Sequence, residues 1–563
     1  MKSASIALLL LTAVCSHAAE PPTLILMGGS YRTCSSLLAE DCRPDQRDFP
    51  GARGAPEYRL DPARFSEILD PAYWQTRRGA PGLHALRNML GKAHAASGNA
   101  LLNAEALARA FETADAVTWN GLLTAEQDLI LSAFEQLQQS KGIRKREQVR
   151  LDGGNRPYDA ALFRQLVLEA GKRSHGRKPR IAFTTSASIN GFDAVDFYRD
   201  LLAQAGAEPV WWPVDAALAE ARFGGTGGCA FLQTMRRNAF SSLGRERVFP
   251  DLDAEQKAAC ADPKTLDGVP DSVQALFLDG GDQWLHRQTF FGRDDQPNPW
   301  LLAVRAAFHR GDLVVAGTSA GAAVQSGRSG MITNGTSMNA LSHGAIAFPG
   351  SMPEGCERAK RCPIPLREDD LTWWHGGGLD LLGNVLVDTH VSERRRELRL
   401  VTLMGALADS SEKGPLAGIG VDETSALTVR LVADGLQLEA SGQSGAWWFE
   451  PPSARTPVGG WTVRGHYLAP GVGLLWSKGR MQLLSPASPV NPGQSIGFVG
   501  GDALQPEVLR SVVWHLARID AQSTELSALD FRLRISVLPG SRRWQGPQGQ
   551  QGITDLELTL ARP

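Results

Sequence analysis

Gly317-Thr318-Ser319-Ala320-Gly321 sets one hydroxyl between two glycines, directly after the apolar run Leu313-Val314-Val315-Ala316. A strand that hands a serine to a helix through a sharp turn has this composition. The glycines allow the tight backbone, and Ala320 and Ala322 let the helix lie close to the sheet. The chemistry open to such a serine is attack on an acyl carbon, and it needs a base, because a free hydroxyl is a poor nucleophile at neutral pH. Asn384-Val385-Leu386-Val387-Asp388-Thr389-His390 is a second apolar run, ending in an imidazole. Leu416-Ala417-Gly418-Ile419-Gly420-Val421-Asp422-Glu423 is a third, ending in two carboxylates. Taken together they suggest Ser319 as nucleophile, His390 as general base and acid, and Glu423 as the group that orients the imidazole. The order Ser, His, acid differs from the Ser, acid, His order of α/β-hydrolases. His375-Gly376-Gly377-Gly378 has the composition of an esterase oxyanion loop, but it follows the nucleophile instead of preceding it and is read as a connecting loop. His343 and His375 fall in an irregular insertion, not at a strand end, so His390 is the preferred base.

Two further segments bear on the same chemistry. Ala275-Leu276-Phe277-Leu278-Asp279-Gly280-Gly281-Asp282-Gln283 reads as a strand ending in glycines. Glycines there bring backbone N–H groups close to a substrate carbonyl, and with the Ala320 N–H they would form an oxyanion hole. Gln283 both donates and accepts, which suits a peptide-like substrate. Ser392-Glu393-Arg394-Arg395-Arg396-Glu397-Leu398-Arg399 follows the base. If Ser392 caps a helix, three arginines occupy the first turn, where cations oppose the helix dipole. Their presence suggests recognition of a carboxylate, which Arg binds through two parallel hydrogen bonds.

The elements that position these groups read as an α/β chain. Arg180 to Ser188 is a buried strand, residues 193 to 206 an amphipathic helix, and Pro209 to Val214 another strand, the rhythm of a parallel sheet covered on both faces. Functional groups gather at the carboxyl edge of such a sheet. Residues 60–145 carry helical patterns and read as a cap. Residues 215–270 and 340–378 read as further insertions, the last carrying Trp373 and Trp374. After Glu423 the pattern changes to alternating strands. Residues 486–563 contain a helical stretch near Pro506 to Ile519 and β-type segments around Phe531 to Val537 and Ile553 to Leu560, with no catalytic motif.

Gly317-Thr318-Ser319-Ala320-Gly321-Ala322, Gly280-Gly281-Asp282-Gln283, Asp388-x-His390 with arginines following, and Gly418-Ile419-Gly420-Val421-Asp422-Glu423 resemble, in this order, the motifs of cyanophycinase, whose relatives include aspartyl dipeptidases. The resemblance spans roughly residues 22 to 485. It implies a three-layer class I glutamine-amidotransferase-like (flavodoxin-like) parallel sheet, a Ser-His-Glu triad, and hydrolysis of cyanophycin, a multi-arginyl-poly-aspartate, to β-aspartyl-arginine dipeptides without a metal or organic cofactor. It maps substrate contacts onto Gly281, Asp282, Gln283, Ala320, Asp388, Thr389, Arg394, Arg396 and Arg399. The chain departs from the family at Thr389, where Gln is usual, which leaves open short aspartyl peptides or other isopeptides as substrates. A secreted binding protein on an inactive scaffold is the alternative from another class.

The 563 residues are 43% hydrophobic and 21% charged, with a net charge of −2. That length buries at least one large core, and the charge points to neither nucleic acid nor an anionic membrane surface. Lys2, the apolar run Ile6 to Val14 and the small residues Ser16 to Ala19 read as a signal peptide over 1–19, with lipidation at Cys15 as a lesser alternative. The expected organisation is therefore an exported chain, periplasmic or extracellular, with a catalytic domain at 20–485 and a β-rich extension at 486–563. The mature chain has no further spanning segment, and both a monomer and a homodimer stay open. Removing Cys15 leaves six cysteines, for which sequence proximity favours Cys34–Cys42, Cys229–Cys260 and Cys356–Cys362, the usage of an oxidising compartment.

Overall fold

The computed structural model describes residues 20–225, 228–410, 414–455, 460–485, 490, 501–519 and 521–563. The segment read as a signal peptide lies outside them. The fold is mixed α/β. Strands β1 (Thr23–Met27), β2 (Arg180–Thr184), β3 (Glu208–Trp211), β4 (Ala275–Leu278) and β5 (Val314–Thr318) form a parallel block in the order β1-β5-β4-β2-β3. β1, β4 and β5 are buried throughout, which is why they read as unbroken apolar runs. Alternation sends Leu24 and Leu26 of β1 into one core and Ile25 and Met27 into another. Trp300, Leu301 and Val304 of the helix Pro299–His309 belong to the first core, and Leu162, Phe163 and Leu166 of the helix Pro157–Gly171 to the second. The registers Met27↔Thr318 and Leu278↔Gly317 align the carboxyl ends of β1, β5 and β4.

β6 (Val385–Thr389) and β7 (Ala417–Val421) do not join this block, contrary to the expectation of one sheet carrying every functional strand end. They pair in parallel with each other and open a second sheet. The edge of β1 is taken instead by β8 (Ser425–Val432), which runs antiparallel to it and pairs with β9 (Gly435–Gly442). The three residues Asp422 to Thr424 carry the chain from β7 in the second sheet to β8 in the first. β10 (Ala446–Phe449) and β11 (Trp461–Leu468) extend the second sheet, while β12 (Gly473–Ser477) and β13 (Arg480–Leu483) extend the first. The last strands are β14 (Ser523–Ala528), β15 (Phe531–Val537) and β16 (Gln551–Ala561), in the second-sheet order β6-β7-β10-β11-β16-β15-β14. The C-terminal strands are thus hydrogen-bonded members of that sheet, with β16 seated between β11 and β15. Their apolar faces share one core with Trp447, Trp448 and Tyr467.

The residues read as a cap form helices, among them Leu83–Ser97, Ala104–Ala114 and Thr124–Ala133, around a separate core that includes Leu86, Met89, Phe111, Trp119 and Phe134. Asn103 caps one of them by accepting from the Ala106 N–H at 2.8 Å. The insertion at 340–378 is less irregular than its sequence suggests. Ala345–Ala347 and Leu371–Trp374 join Met331–Asn334 in a three-stranded sheet. The three cysteine pairs are Cys34–Cys42, Cys229–Cys260 and Cys356–Cys362, with Cα separations of 4.5, 5.9 and 4.7 Å. The last of them closes a loop that grips the helix Thr124–Ala133. Arg361 makes a buried bidentate contact with Glu126, and the Thr124 N–H donates to the Glu354 carbonyl at 2.9 Å. Among the described residues, no helix is long and apolar enough to cross a membrane.

Candidate active site

Ser319 follows β5 in a sharp elbow, with φ 52° and ψ −114°. Only small neighbours permit it. A Cβ on Gly317 would lie 2.1 Å from the Gly321 carbonyl oxygen, and one on Gly321 would lie 2.2 Å from that of Leu278. The Ser319 N–H donates to the Met27 carbonyl at 2.9 Å, which fixes the elbow to β1. His390 leaves the end of β6 at φ 56° and is almost wholly buried. Its Nε2 lies 2.7 Å from Ser319 Oγ, and its Nδ1 lies 2.8 Å from Glu423 Oε1. Glu423 sits on the turn that joins the two sheets, so the contact between the sheets is what brings acid, imidazole and hydroxyl into one line.

The partners dictate the proton positions. An ionised carboxylate only accepts, so Nδ1 carries the hydrogen toward Glu423 and Nε2 is left to accept from the Ser319 hydroxyl. Burial pushes the His390 pKa below its ordinary 6.5; Arg394 and Arg396 push the same way, and the Glu423 contact opposes them. Glu423 is pulled down to about 2, chiefly by its hydrogen bond from His390, with Ser30 and Arg394 adding to the effect while burial opposes. At neutral pH the pair is a neutral imidazole against an ionised carboxylate, the state a general base requires.

Two residues after β1 complete this line and were not singled out from the sequence. Ser30 holds its hydroxyl on Glu423, 3.3 Å from His390 Nδ1. Gly29, at φ +95°, lets the backbone pass beneath the imidazole, where a Cβ would lie 2.5 Å from Cε1. Glycine followed by serine after an apolar strand was the available signal, but it is a common turn composition.

Gly281 adopts φ +146°, and a Cβ there would lie 2.2 Å from the Ala187 carbonyl oxygen. That loop is held in place by the buried Asp279 carboxyl, which accepts from the Ala187 N–H at 3.0 Å and from Ser188 Oγ at 2.8 Å. The Ala320 N–H heads the short helix Ala320–Ala323, where no intrahelical acceptor exists. Gly281, Ser319 and Ala320 all line a cleft of about 1130 Å³. The cleft lining mixes Arg394 and Arg396 with the carboxyls of Asp128, Glu354 and Asp369, and also includes Thr389. Gln283 lines it too, with Nε2 committed to the Ile332 carbonyl at 2.7 Å. Asp282 caps the helix Gln283–Phe290 by accepting from the Trp284 N–H, and also accepts from Ser351 Oγ.

The arginine segment departs from its expected form. The helix begins at Glu397, not after Ser392, and Arg395 sits at φ 56° in the preceding turn. Arg394 therefore lies outside the helix, whereas Arg396 stands at its N-cap, with its carbonyl accepting the Leu400 N–H at 3.1 Å. Arg399 is bound bidentately by Asp388, at 2.8 and 2.7 Å, with both side chains buried. Burial works to raise the Asp388 pKa, but Arg399 holds it below the ordinary value. Arg396 donates to the Thr389 carbonyl at 2.9 Å, and Arg394 is half exposed, 3.6 Å from Glu423.

The other candidates sit apart from Ser319. His343 pairs with Asp370 at 2.7 Å. The glycines after His375 pack against the chain that follows the elbow, where a Cβ on Gly378 would lie 2.0 Å from the Val324 carbonyl oxygen. Among the described residues, the group of metal-type ligand atoms is Cys356, Cys362 and Glu368, and its two sulfurs are bonded to each other.

No protein-family model matches the chain. Among solved structures, the chain is similar to a peptidase from an acI-B1 Actinobacterium, with 16% identity over 57% of this chain and 92% of that chain and a TM-score of 0.31.

Proposed function

We propose that the protein is an exported serine-type peptidase that cuts β-aspartyl-arginine polymer into dipeptides. The observation that carries the reading is the line from Ser319 Oγ through both nitrogens of His390 to Glu423, with hydrogen-bond distances at each step and a neutral imidazole at its centre. Ser319 Oγ attacks the scissile carbonyl carbon and its proton passes to His390 Nε2. Glu423 balances the imidazolium, and the N–H groups of Ala320 and Gly281 face the developing oxyanion. As the C–N bond breaks, Nε2 returns the proton to the leaving amine. Water then repeats the sequence on the acyl-enzyme, giving up a proton to Nε2 that restores the serine.

The substrate assignment draws on the cleft. A poly-aspartate backbone whose β-carboxyls are amide-linked to arginine carries both arginine α-carboxylates and guanidinium groups, and the lining offers arginines and carboxylates for each. Arg394 and Arg396 are the carboxylate contacts in this reading, whereas Arg399 and Asp388 serve to shape the floor. Thr389 favours a second reading, a peptidase for short aspartyl peptides or other isopeptides, since its side chain reaches less far than Gln. Mass spectrometry of soluble products separates them. Release of β-aspartyl-arginine from purified polymer supports the first, and turnover of short isopeptides with an untouched polymer supports the second. Neither product, with Ser319 unreactive, would leave a binding protein.

A further inference from the structure

The C-terminal segment carries no catalytic motif, yet one of its side chains reaches the loop that bears the acid. Arg510 lies in the helix Val508–Arg518 and is nearly buried. Its Nη1 contacts Glu393, Asp422 Oδ2 at 3.1 Å and Ser444 Oγ at 3.1 Å, and its Nη2 meets Glu507 at 3.0 Å. The two carboxylates it joins are those that hold the triad loops. Glu393 Oε2 accepts the Glu423 N–H at 2.9 Å. Asp422 accepts the Ser392 N–H at 3.1 Å and the Tyr467 hydroxyl at 2.7 Å. The same helix entrance is tied to the base loop directly, the Glu507 N–H donating to the Ser392 carbonyl at 2.7 Å and Arg395 to the Leu504 carbonyl at 3.3 Å. The loops so tied contain His390, Arg395 and Thr424, all non-glycine residues at positive φ. Such conformations persist only where surrounding contacts over-determine them.

We infer that Arg510 is a positioning residue for the triad: by bridging Glu393 and Asp422, it fixes the Glu423 backbone and the turn that presents His390. The inference rests on the serine-peptidase reading and assigns a role in it to the C-terminal segment. Without Arg510, the buried Asp422 and the partly buried Glu393 would face each other with no cation between them, next to the buried carboxyl of Glu397. Glu393, already raised to about 7 by burial and by Asp422, would take up a proton, and the acceptor that holds the Glu423 N–H would lose its charge. The groups facing His390 itself are Glu423, Ser30, Arg394 and Arg396. The proton that Glu393 takes up offsets the cation lost, so the titration of His390 itself stays in place and the loss falls on the hold over Glu423.

The test is the rate at which a serine-directed phosphonate without a carboxylate labels Ser319 in the full chain, measured across pH. This readout does not depend on the natural substrate. In Arg510→Met, labelling at the pH optimum should fall ~10-fold or more, with the acid limb in place. Arg510→Lys keeps the charge but cannot span three partners. It should slow labelling less and leave the limb where it is, and it serves as the test if the Met variant does not fold. Glu393→Gln presents the same uncharged oxygen to the Glu423 N–H, so it should slow labelling in the wild-type background and add no further loss to Arg510→Met. Unchanged labelling in folded Arg510→Met or Arg510→Lys, or a Glu393→Gln loss of the same size in both backgrounds, would overturn the inference while the serine reading stands. A wild-type chain that is never labelled would remove the reading and the inference with it.

Discussion

Gly29→Ala is a single methyl group aimed at the base. The added Cβ would lie 2.5 Å from His390 Cε1, 2.7 Å from Nε2 and 3.0 Å from Ser319 Cβ. Ordinary carbon contacts begin near 3.4 Å, so the imidazole must retreat by roughly 0.9 Å, and the direction is set because the methyl sits on the Nε2 edge. The Ser319 Oγ to Nε2 distance is 2.7 Å, and a displacement of that size stretches it beyond ~3.3 Å, out of hydrogen-bonding range. A 1 Å misplacement of a catalytic group costs ~10²-fold in rate. The left-handed φ of +95° adds a strain of about 1–2 kcal/mol for any side chain. The expected variant is therefore folded, with a thermal midpoint lower by only about 1–2 °C in a chain of this length and phosphonate labelling of Ser319 slower by ~10²-fold. Burst labelling followed by intact mass, run beside a thermal melt, reads both. A folded Gly29→Ala that labels within threefold of wild type would refute the geometry, because no arrangement with His390 as base tolerates that methyl.

Other outcomes follow from the same contacts. The acid limb of kcat/KM should lie below the ordinary histidine value of about 6.5, because burial, Arg394 and Arg396 disfavour the imidazolium; Arg394→Ala removes a cation and should move the limb upward in a pH–rate profile. Arg399→Met should leave the buried Asp388 with only Arg396, at 3.9 Å, as a cation and cost about 3 kcal/mol in denaturant unfolding, whereas Arg394→Met should change KM with little effect on stability. In protein from its native compartment, alkylation under denaturing, non-reducing conditions should find no free thiol. Losing Cys229–Cys260, which spans 31 residues, should destabilise by ~3.7 kcal/mol on chain-entropy grounds, against ~2.5 kcal/mol for either shorter bridge.

The strands that end in Ser319, His390 and Gly281 were legible because each is an unbroken apolar run that stops at small or polar residues, the mark of a strand covered on both faces. What periodicity does not carry is which strands pair. β6 and β7 look like members of the parallel block, but β8 claims the edge of β1 through long-range hydrogen bonds that leave no local trace in sequence. The arginine turn was misread for a related reason. Ser392 followed by charged residues looks like a cap, whereas Arg395 in a left-handed conformation delays the helix to Glu397. The bidentate pair of Arg399 with Asp388 joins residues eleven positions apart, one on a strand and one on a helix, and neither periodicity announces it. Arg510 was invisible for the same reason, since Glu393, Asp422 and Ser444 lie 66 to 117 residues away from it. Ser30 and Gly29 were within reach of sequence reasoning, but only as one ordinary turn among many.

The central claim is that Ser319 is the nucleophile of an acyl-transfer enzyme. Its most direct test is intact-mass analysis and peptide mapping of the full chain after treatment with a serine-directed phosphonate at neutral pH, with Ser319→Ala as control. The account predicts one adduct per chain, on Ser319, formed more slowly as pH falls through the His390 titration, and none on the control. An unlabelled wild-type chain, or an adduct that maps elsewhere and persists in Ser319→Ala, would contradict it.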